Sequence, residues 1–234
     1  VIPLANDGSA VAPKADVIPA VVKSIWNRKN PFPSTITANV LLSGESSAKE
    51  IRHYEFDLAD SNLSYETGDA LNVMPINNGT LVSSLLQRLV IAPGTVPEGE
   101  TKTIDELLTY NYEISTPSRE FLAAIERQAK DDFFSNVMSN GDKEALADYL
   151  WSKDTLDLLN LNPSVMLSLE EFLALLRPLQ HRAYSISSSP KQHPGSVHLT
   201  VASVRWQAEG REHQGVCSTF LADRVIEGGK VGIF

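Results

Sequence analysis

Arg182-Ala183-Tyr184-Ser185 sets a cation, a flat aromatic ring and a hydroxyl side by side in a segment whose composition suits an extended strand. Residues two apart in a strand share a face, so Arg182 and Tyr184 point together while Ser185 points opposite or ends the strand. A guanidinium pairs bidentately with a phosphate, and a tyrosine beside it can lie flat on a heteroaromatic ring. Further on, Gly215-Val216-Cys217-Ser218 puts a glycine where backbone could approach a ligand closely and a small hydroxyl at the expected start of a helix. Such a start offers free backbone N–H groups to an anion. Each stretch also has a plain structural reading: a sheet strand with a surface arginine, and an ordinary serine N-cap.

Between these two stretches runs Val197-His198-Leu199-Thr200-Val201-Ala202, an apolar strand whose small residues would let a flat ring system lie close. Trp206 follows and could cover an adenine, or simply sit at the rim of a packed core.

Composition narrows the field. The 234-residue chain carries a net charge of −9, which argues against nucleic-acid binding, because that draws its affinity from Lys and Arg contacts to phosphates. One pyrophosphate needs only one or two placed cations. A single cysteine, Cys217, allows no internal disulfide and no thiolate metal cage. His53, His181, His193, His198 and His213 include no i, i+4 pair and show no evident His/carboxylate ligand spacing, so no metal site is expected. No apolar run reaches the roughly 18 residues of a membrane span. The first residues lack signal-peptide features and an initiator methionine, so the chain reads as an excised piece of a cytoplasmic protein.

Positioning these residues requires particular elements. Residues 1–29, rich in Ala, Val and Pro, read as a linker. From Thr35 to Val73 the pattern is β, with Tyr54, Phe56 and Leu58 on one face of a strand and His53, Glu55 and Asp57 on the other. Helical spacing then takes over, with Thr80, Thr103, Ser118 and Ser168 as expected N-caps and a capping box at Ser168-Leu169-Glu170-Glu171. β periodicity returns from Arg182, with one strand expected over Val197–Trp206, a short helix over Ser218–Val225 and a last strand from Lys230. The expected fold class is α+β: a small antiparallel Greek-key β-barrel formed by 30–76 and 179–234, with an all-helical subdomain over 77–178 inserted between its strands.

These motifs, in this order, resemble those of the diflavin reductases, most closely the sulfite reductase type. The resemblance rests on Arg182-x-Tyr184-Ser185, Thr200-Val201-Ala202 with Trp206, and Gly215-x-x-Ser218. It extends upstream to Asn30-Pro31-Phe32, Tyr65-Glu66-Thr67-Gly68-Asp69-Ala70 and Leu175–Leu179, and downstream to Ser218–Val225. It implies a ferredoxin-reductase-type barrel that binds FAD, with the helical part as a connecting subdomain. Tyr184 and Ala183 would lie at the isoalloxazine, and Ser185, the one residue given a catalytic role, would hydrogen-bond near its reactive N5. Arg182 and Ser218, with backbone of Gly215, Val216 and Cys217, would hold the pyrophosphate. Thr200, Val201 and Ala202 would line the flavin, Trp206 would stand in for an adenine-stacking tyrosine, and Ser115 for a threonine reaching the cofactor.

The resemblance further implies an NADPH-dependent oxidoreductase passing electrons from FAD to FMN and then to a haem-containing acceptor subunit. A flavodoxin-like FMN domain and an NADPH-binding domain would lie outside this fragment, which has no Gly-x-Gly-x-x-Gly loop and is expected to be inactive alone. A reductase module for another haem acceptor and a non-catalytic interaction module are the rival readings.

Overall fold

The computed structural model describes residues 24–129, 132–139 and 141–234. In chain order the strands and α-helices are β1 (Phe32–Leu41), β2 (Ile51–Asp57), β3 (Ala70–Val73), α1 (Gly79–Leu89), α2 (Ile104–Tyr110), β4 (Tyr112–Glu113), α3 (Arg119–Ala129), α4 (Asp132–Ser139), α5 (Lys143–Leu150), α6 (Thr155–Leu161), α7 (Leu169–Leu175), β5 (Arg177–Pro178), β6 (Arg182–Ser185), β7 (Ser196–Ala202), β8 (Arg205–Ala208), β9 (Arg211–Gln214), α8 (Val216–Thr219) and β10 (Lys230–Ile233). The linker expected over 1–29 falls, up to residue 23, outside the described residues. Trp26, beyond that point, packs edge-on against Phe32 and donates its indole N–H to the Ser61 carbonyl at 2.7 Å.

Six strands form one antiparallel sheet in the order β6-β3-β10-β1-β2-β7. Alternation along β2 does what the sequence pattern requires: Tyr54 and Phe56 are fully buried, while His53, Glu55 and Asp57 lie on the opposite face. β1 receives β10 from the far end of the chain, pairing Phe32 with Ile233. The sheet's two edges meet where the chain leaving β6 bridges β7 at Ile186 and Leu199, and the Ser187 N–H donates to the His198 carbonyl at 2.9 Å. Contact of the edges leaves fewer unpaired backbone groups, which would otherwise be templates for association.

The helices follow the apolar spacing. In α1, Val82, Leu85, Leu86 and Leu89 are buried on one stripe. Thr103 and Ser168 each begin a helix with a complete capping box, and Ser118 caps α3 by accepting the Phe121 N–H at 2.9 Å. At α1 the cap is Asn78, whose side chain accepts from the Thr80 N–H, so Thr80 is the capped residue and not the cap. A cluster including Leu85, Ile104, Phe121 and Phe172 forms the helical core, separate from the sheet core of Ile36, Tyr54, Phe56 and Leu221.

Two further expectations are corrected. The strand read over Val197–Trp206 divides after Ala202, because the Val204 carbonyl and N–H are claimed by the Gly215 N–H and the Ser218 hydroxyl. The segment that follows becomes β8, which turns away to pair only with β9. The helix expected from Ser218 begins at Val216 with Gly215 as its N-cap, and continues as a π-helical stretch over Phe220–Arg224.

Candidate functional site

β6 lies along β3 with Val73 opposite Arg182 and Ala70 opposite Ser185. The pleat leaves Ala183 and Ser185 exposed and turns Arg182 and Tyr184 to the other, half-buried face. Burial raises the Tyr184 phenol well above its ordinary pKa, and the adjoining Cys217 adds to the effect. Cys217 is itself buried, and desolvation pushes its thiol up to about 11. A thiol in that setting is inert packing and no nucleophile.

Arg182 is aimed by a carboxylate that the sequence did not single out. Its guanidinium donates to Glu113 Oε2 at 3.2 Å, and the Ser115 N–H donates to Glu113 Oε1 at 3.0 Å. Glu113 is almost wholly buried on β4, so one carboxylate joins two of the expected site residues, one within the helical stretch and one just beyond it. An isolated acid between apolar neighbours in Tyr112-Glu113-Ile114 was the available signal.

Gly215 is demanded by space. A Cβ built there would meet Ser218 Oγ at 2.7 Å and the Val204 Cβ at 3.2 Å. The Ser218 hydroxyl accepts from the Val204 N–H at 3.2 Å and lies 3.3 Å from the Gly215 carbonyl. It is buried and already used in shaping the loop. The first intrahelical bond there is the Thr219 N–H to the Gly215 carbonyl, so the N–H groups of Val216, Cys217 and Ser218 precede it.

On β7, Thr200 and Ala202 face outward while Val201 is buried in the sheet core, so its side chain is turned from the face that the other two present. The Thr200 hydroxyl reaches Ser187 Oγ at 3.4 Å, just past the end of β6. Trp206, on β8, stacks on His213 with ring centroids 5.3 Å apart and planes 16° from parallel. Its buried indole N–H has no hydrogen-bond partner among the described residues.

A cleft of about 870 Å³ separates the β8–β9 ribbon from the helices, within the size range of ligand pockets. Ser115, Trp206, Val216 and Thr219 line it; Arg182, Tyr184, Ser185 and Thr200 do not. Across the cleft the ribbon is clamped by charge. Arg211 pairs with Asp154 and, at 2.7 Å, with Asp157, and His213 lies between the same two carboxylates at 3.7 and 3.6 Å. Burial raises the pKa of Asp154, with the neighbouring Asp157 charge acting in the same sense. Lys153 adds an ion pair to Glu209 at 3.1 Å.

A family model of the FAD binding domain matches residues 25–220. The chain belongs to the FAD-binding domain family. Among curated proteins, it is similar to the sulfite reductase [NADPH] flavoprotein alpha-component of Bacillus subtilis, at 33% identity over 97% of this chain and 38% of the relative. It is similar to the proteins of the same name from Mannheimia succiniciproducens, at 37% over 89% and 35%, and from Escherichia coli O157:H7, at 34% over 99% and 39%. The FAD-binding chain thus spans little more than a third of the length of these relatives.

The residues of this FAD-binding domain fit that cofactor on their own chemistry. Ser185, Thr200 and Ala202 are exposed and small, Gly215 leaves no room for a side chain, and the Trp206 N–H is a buried donor in want of an acceptor. No helix among the described residues is long and apolar enough to cross a membrane.

The reading that the histidines lack ligand spacing needs correction. His53 and Glu55 are two apart on β2, which in a strand is same-face spacing, and His198 joins them from β7. Asp154, Asp157 and His213 form a second such group, which Arg211 already neutralises. Spacing rules for helices do not detect ligands brought together across a sheet.

Proposed function

We propose that the chain is the FAD-binding part of an NADPH-dependent diflavin oxidoreductase of the sulfite reductase type. The supporting observation is proximity: the three motifs are tied to one another or to shared neighbours, and Glu113 joins them from the helical stretch. Tyr184 adjoins Cys217, the Ser218 hydroxyl holds the Val204 N–H, and Thr200 reaches Ser187, while Glu113 connects Arg182 to Ser115. A packed strand and a plain helix cap give no reason for these groups to assemble.

In this reading the sheet closes as a Greek-key barrel, and the helical part over 77–178 is the connecting subdomain. Bound FAD supplies the redox chemistry, accepting hydride equivalents and giving up electrons singly. Arg182 and the N–H groups of Val216, Cys217 and Ser218 hold the pyrophosphate, Arg182 by charge and the loop by oriented dipoles. Glu113 accepts from one arm of the guanidinium and the Gln180 carbonyl from the other, which fixes its position. Tyr184 presents its ring to the flavin, with Ala183 and the exposed Ala202 and Thr200 leaving room for a flat system, and Val201 contributing through its backbone. Ser185 Oγ offers a hydrogen bond near the reactive nitrogen, Trp206 would cover the adenine, and Ser115 would reach the cofactor from the helical stretch. The intact protein's FMN-binding and NADPH-binding domains and a haem-containing acceptor subunit are its partners, in the cytoplasm.

Titration with FAD, followed in the visible spectrum with FMN as control, tests the site on the chain and on the full-length protein carrying it. Saturable binding that favours FAD is expected. Tyr184→Ala and Arg182→Ala should each weaken it about tenfold or more, the equivalent of roughly 1.4 kcal/mol. Wild-type affinity in both variants, or equal affinity for FMN, would overturn the assignment. NADPH oxidation by the full-length protein without transfer to a haem acceptor would overturn the reductase class.

A further inference from the structure

Beside the residues assigned to FAD, three histidines and a glutamate crowd one patch of the sheet. His53 and Glu55 share the face of β2 opposite Tyr54 and Phe56, and Glu55 stands directly across the β2–β7 ladder from His198. His53 Nε2 lies 3.1 Å from Glu55 Oε1, and His198 Nε2 lies 3.9 Å from Glu55 Oε2. One ligating atom from each of the three falls within 4.8 Å of the others. His193, on the connection between β6 and β7, brings its ring centroid to 4.2 Å from that of His198, while the His53 ring meets His198 edge-on at 5.2 Å.

A His–Glu ion pair needs one histidine. It does not account for two further imidazoles packed into the same spot. Neutral imidazoles beside a carboxylate are, however, a donor set for a borderline metal. Ligands at roughly 2.0–2.2 Å from a tetrahedral ion stand about 3.3–3.5 Å from one another. The 3.1 Å from His53 Nε2 to Glu55 Oε1 is close to that spacing, and one ligating atom from each of the three residues stays within 4.8 Å of the others.

We propose that His53, Glu55 and His198 bind a divalent transition-metal ion of the zinc type, with the His193 ring packed beside that of His198. Two strands of a hydrogen-bonded ladder hold the three ligands, so most of the ordering is done before the ion arrives. The ion takes the place of the His53–Glu55 hydrogen bond and of the contact from His198 Nε2 to Ser196 Oγ at 2.9 Å. Ser196 then remains beside the site as an outer-shell partner. His53 and Glu55 are partly open to solvent, which gives the ion a path in, while His198 is buried beneath them. His53 also stands opposite Thr200 in the ladder, so the site borders the strand assigned to the flavin without sharing a residue with it.

The test is calorimetric titration of the chelator-stripped chain with Zn²⁺ alone, paired with Co²⁺ as a visible-spectrum probe. One ion per chain is expected, with the intense d–d bands of a tetrahedral Co²⁺ site. His53→Ala should cost more than the roughly tenfold to hundredfold lost when an outer-shell partner is removed. His193→Ala should weaken binding less and change the Co²⁺ spectrum. Both substitutions sit at accessible positions, so folding is not at stake, and circular dichroism checks it. Binding that survives the His53→Ala/His193→Ala double variant, or wild-type protein that takes up no ion, overturns the proposal. Neither result depends on whether FAD binds.

Discussion

The sheet and the helical stretch are stabilised by opposite means. In the helices, order is set within a few residues: Thr103 with Glu106, Asp154 with Asp157 and Ser168 with Glu171 each satisfy the backbone donors of their own first turn. In the sheet, order is set by strands from the two ends of the chain, β1 against β10 and β2 against β7. Loop-closure entropy must be met before such contacts stabilise anything, whereas a capped turn repays its ordering at once. The expected cofactor residues sit mainly on the sheet and the ribbon, the part of the molecule that needs the whole chain. The helical stretch, with the short β4 inside it, contributes through a few contacts: Glu113 to Arg182, and Asp154 and Asp157 to Arg211. A site built this way depends on the seam between two differently stabilised regions.

The strongest way to break this comparison is to hollow each core in turn. Phe56 and Phe172 are both fully buried, and replacing either with alanine should cost about 3–5 kcal/mol in denaturant unfolding. Hydrogen exchange should then separate them. Phe172→Ala should release α3 and α7, where Phe172 meets Phe121 edge-on, while β1, β2 and β7 stay protected. Phe56→Ala should release the strands. Uniform loss of protection in both variants would show one cooperative unit and end the distinction.

Next in size is the seam. Asp157→Ala leaves Arg211 and His213 facing one carboxylate, and His213 carries the stacked Trp206. Losing one partner of a buried charge set costs about 3 kcal/mol, the low end being apt because Arg211 is partly exposed. Thermal unfolding measures it, and Asp157→Asn should cost less. An unchanged midpoint would mean that the clamp does not hold the ribbon to the helices.

Gly215→Ala tests the sheet side of the site. The new methyl would crowd Ser218 Oγ, so a loss of about 1–3 kcal/mol is expected, together with weaker FAD binding. Because the two residues touch, Ser218→Ala should recover part of that loss in the double variant, and additive effects would show that the clash is not what excludes a side chain. The smallest effect is the local one. Ser168→Ala removes a cap from α7 and should cost about 1 kcal/mol without changing FAD affinity. A change in affinity there would contradict the assignment of caps to local order alone.

Much of this was legible in the residues because short-range chemistry wrote it. Alternation along β2, the apolar stripe of α1, the N-cap at Thr103 and the capping box at Ser168 depend only on side chains a few positions apart, and they appear where the pattern places them. The Arg182–Ser185 segment was likewise readable, because its strand spacing alone sends Arg182 and Tyr184 to one face and Ala183 and Ser185 to the other. Ser218 was misplaced as a helix start because a glycine cap carries no side-chain signal, while serine is a favoured cap wherever it falls.

What could not be read involves partners far apart in the chain. Glu113 holds Arg182 from 69 residues away, and Asp154 and Asp157 meet Arg211 and His213 across a similar gap. Val204 breaks a strand that its own residue types would continue, because a distant loop claims its backbone. His53, Glu55 and His198 become neighbours only when β7 lies against β2. The chain's local chemistry fixed the kinds of element and the faces they present. Which charges meet, and which donors are left over, was settled by packing, since electrostatic and hydrogen-bond partners are chosen by distance in space and not by separation along the backbone.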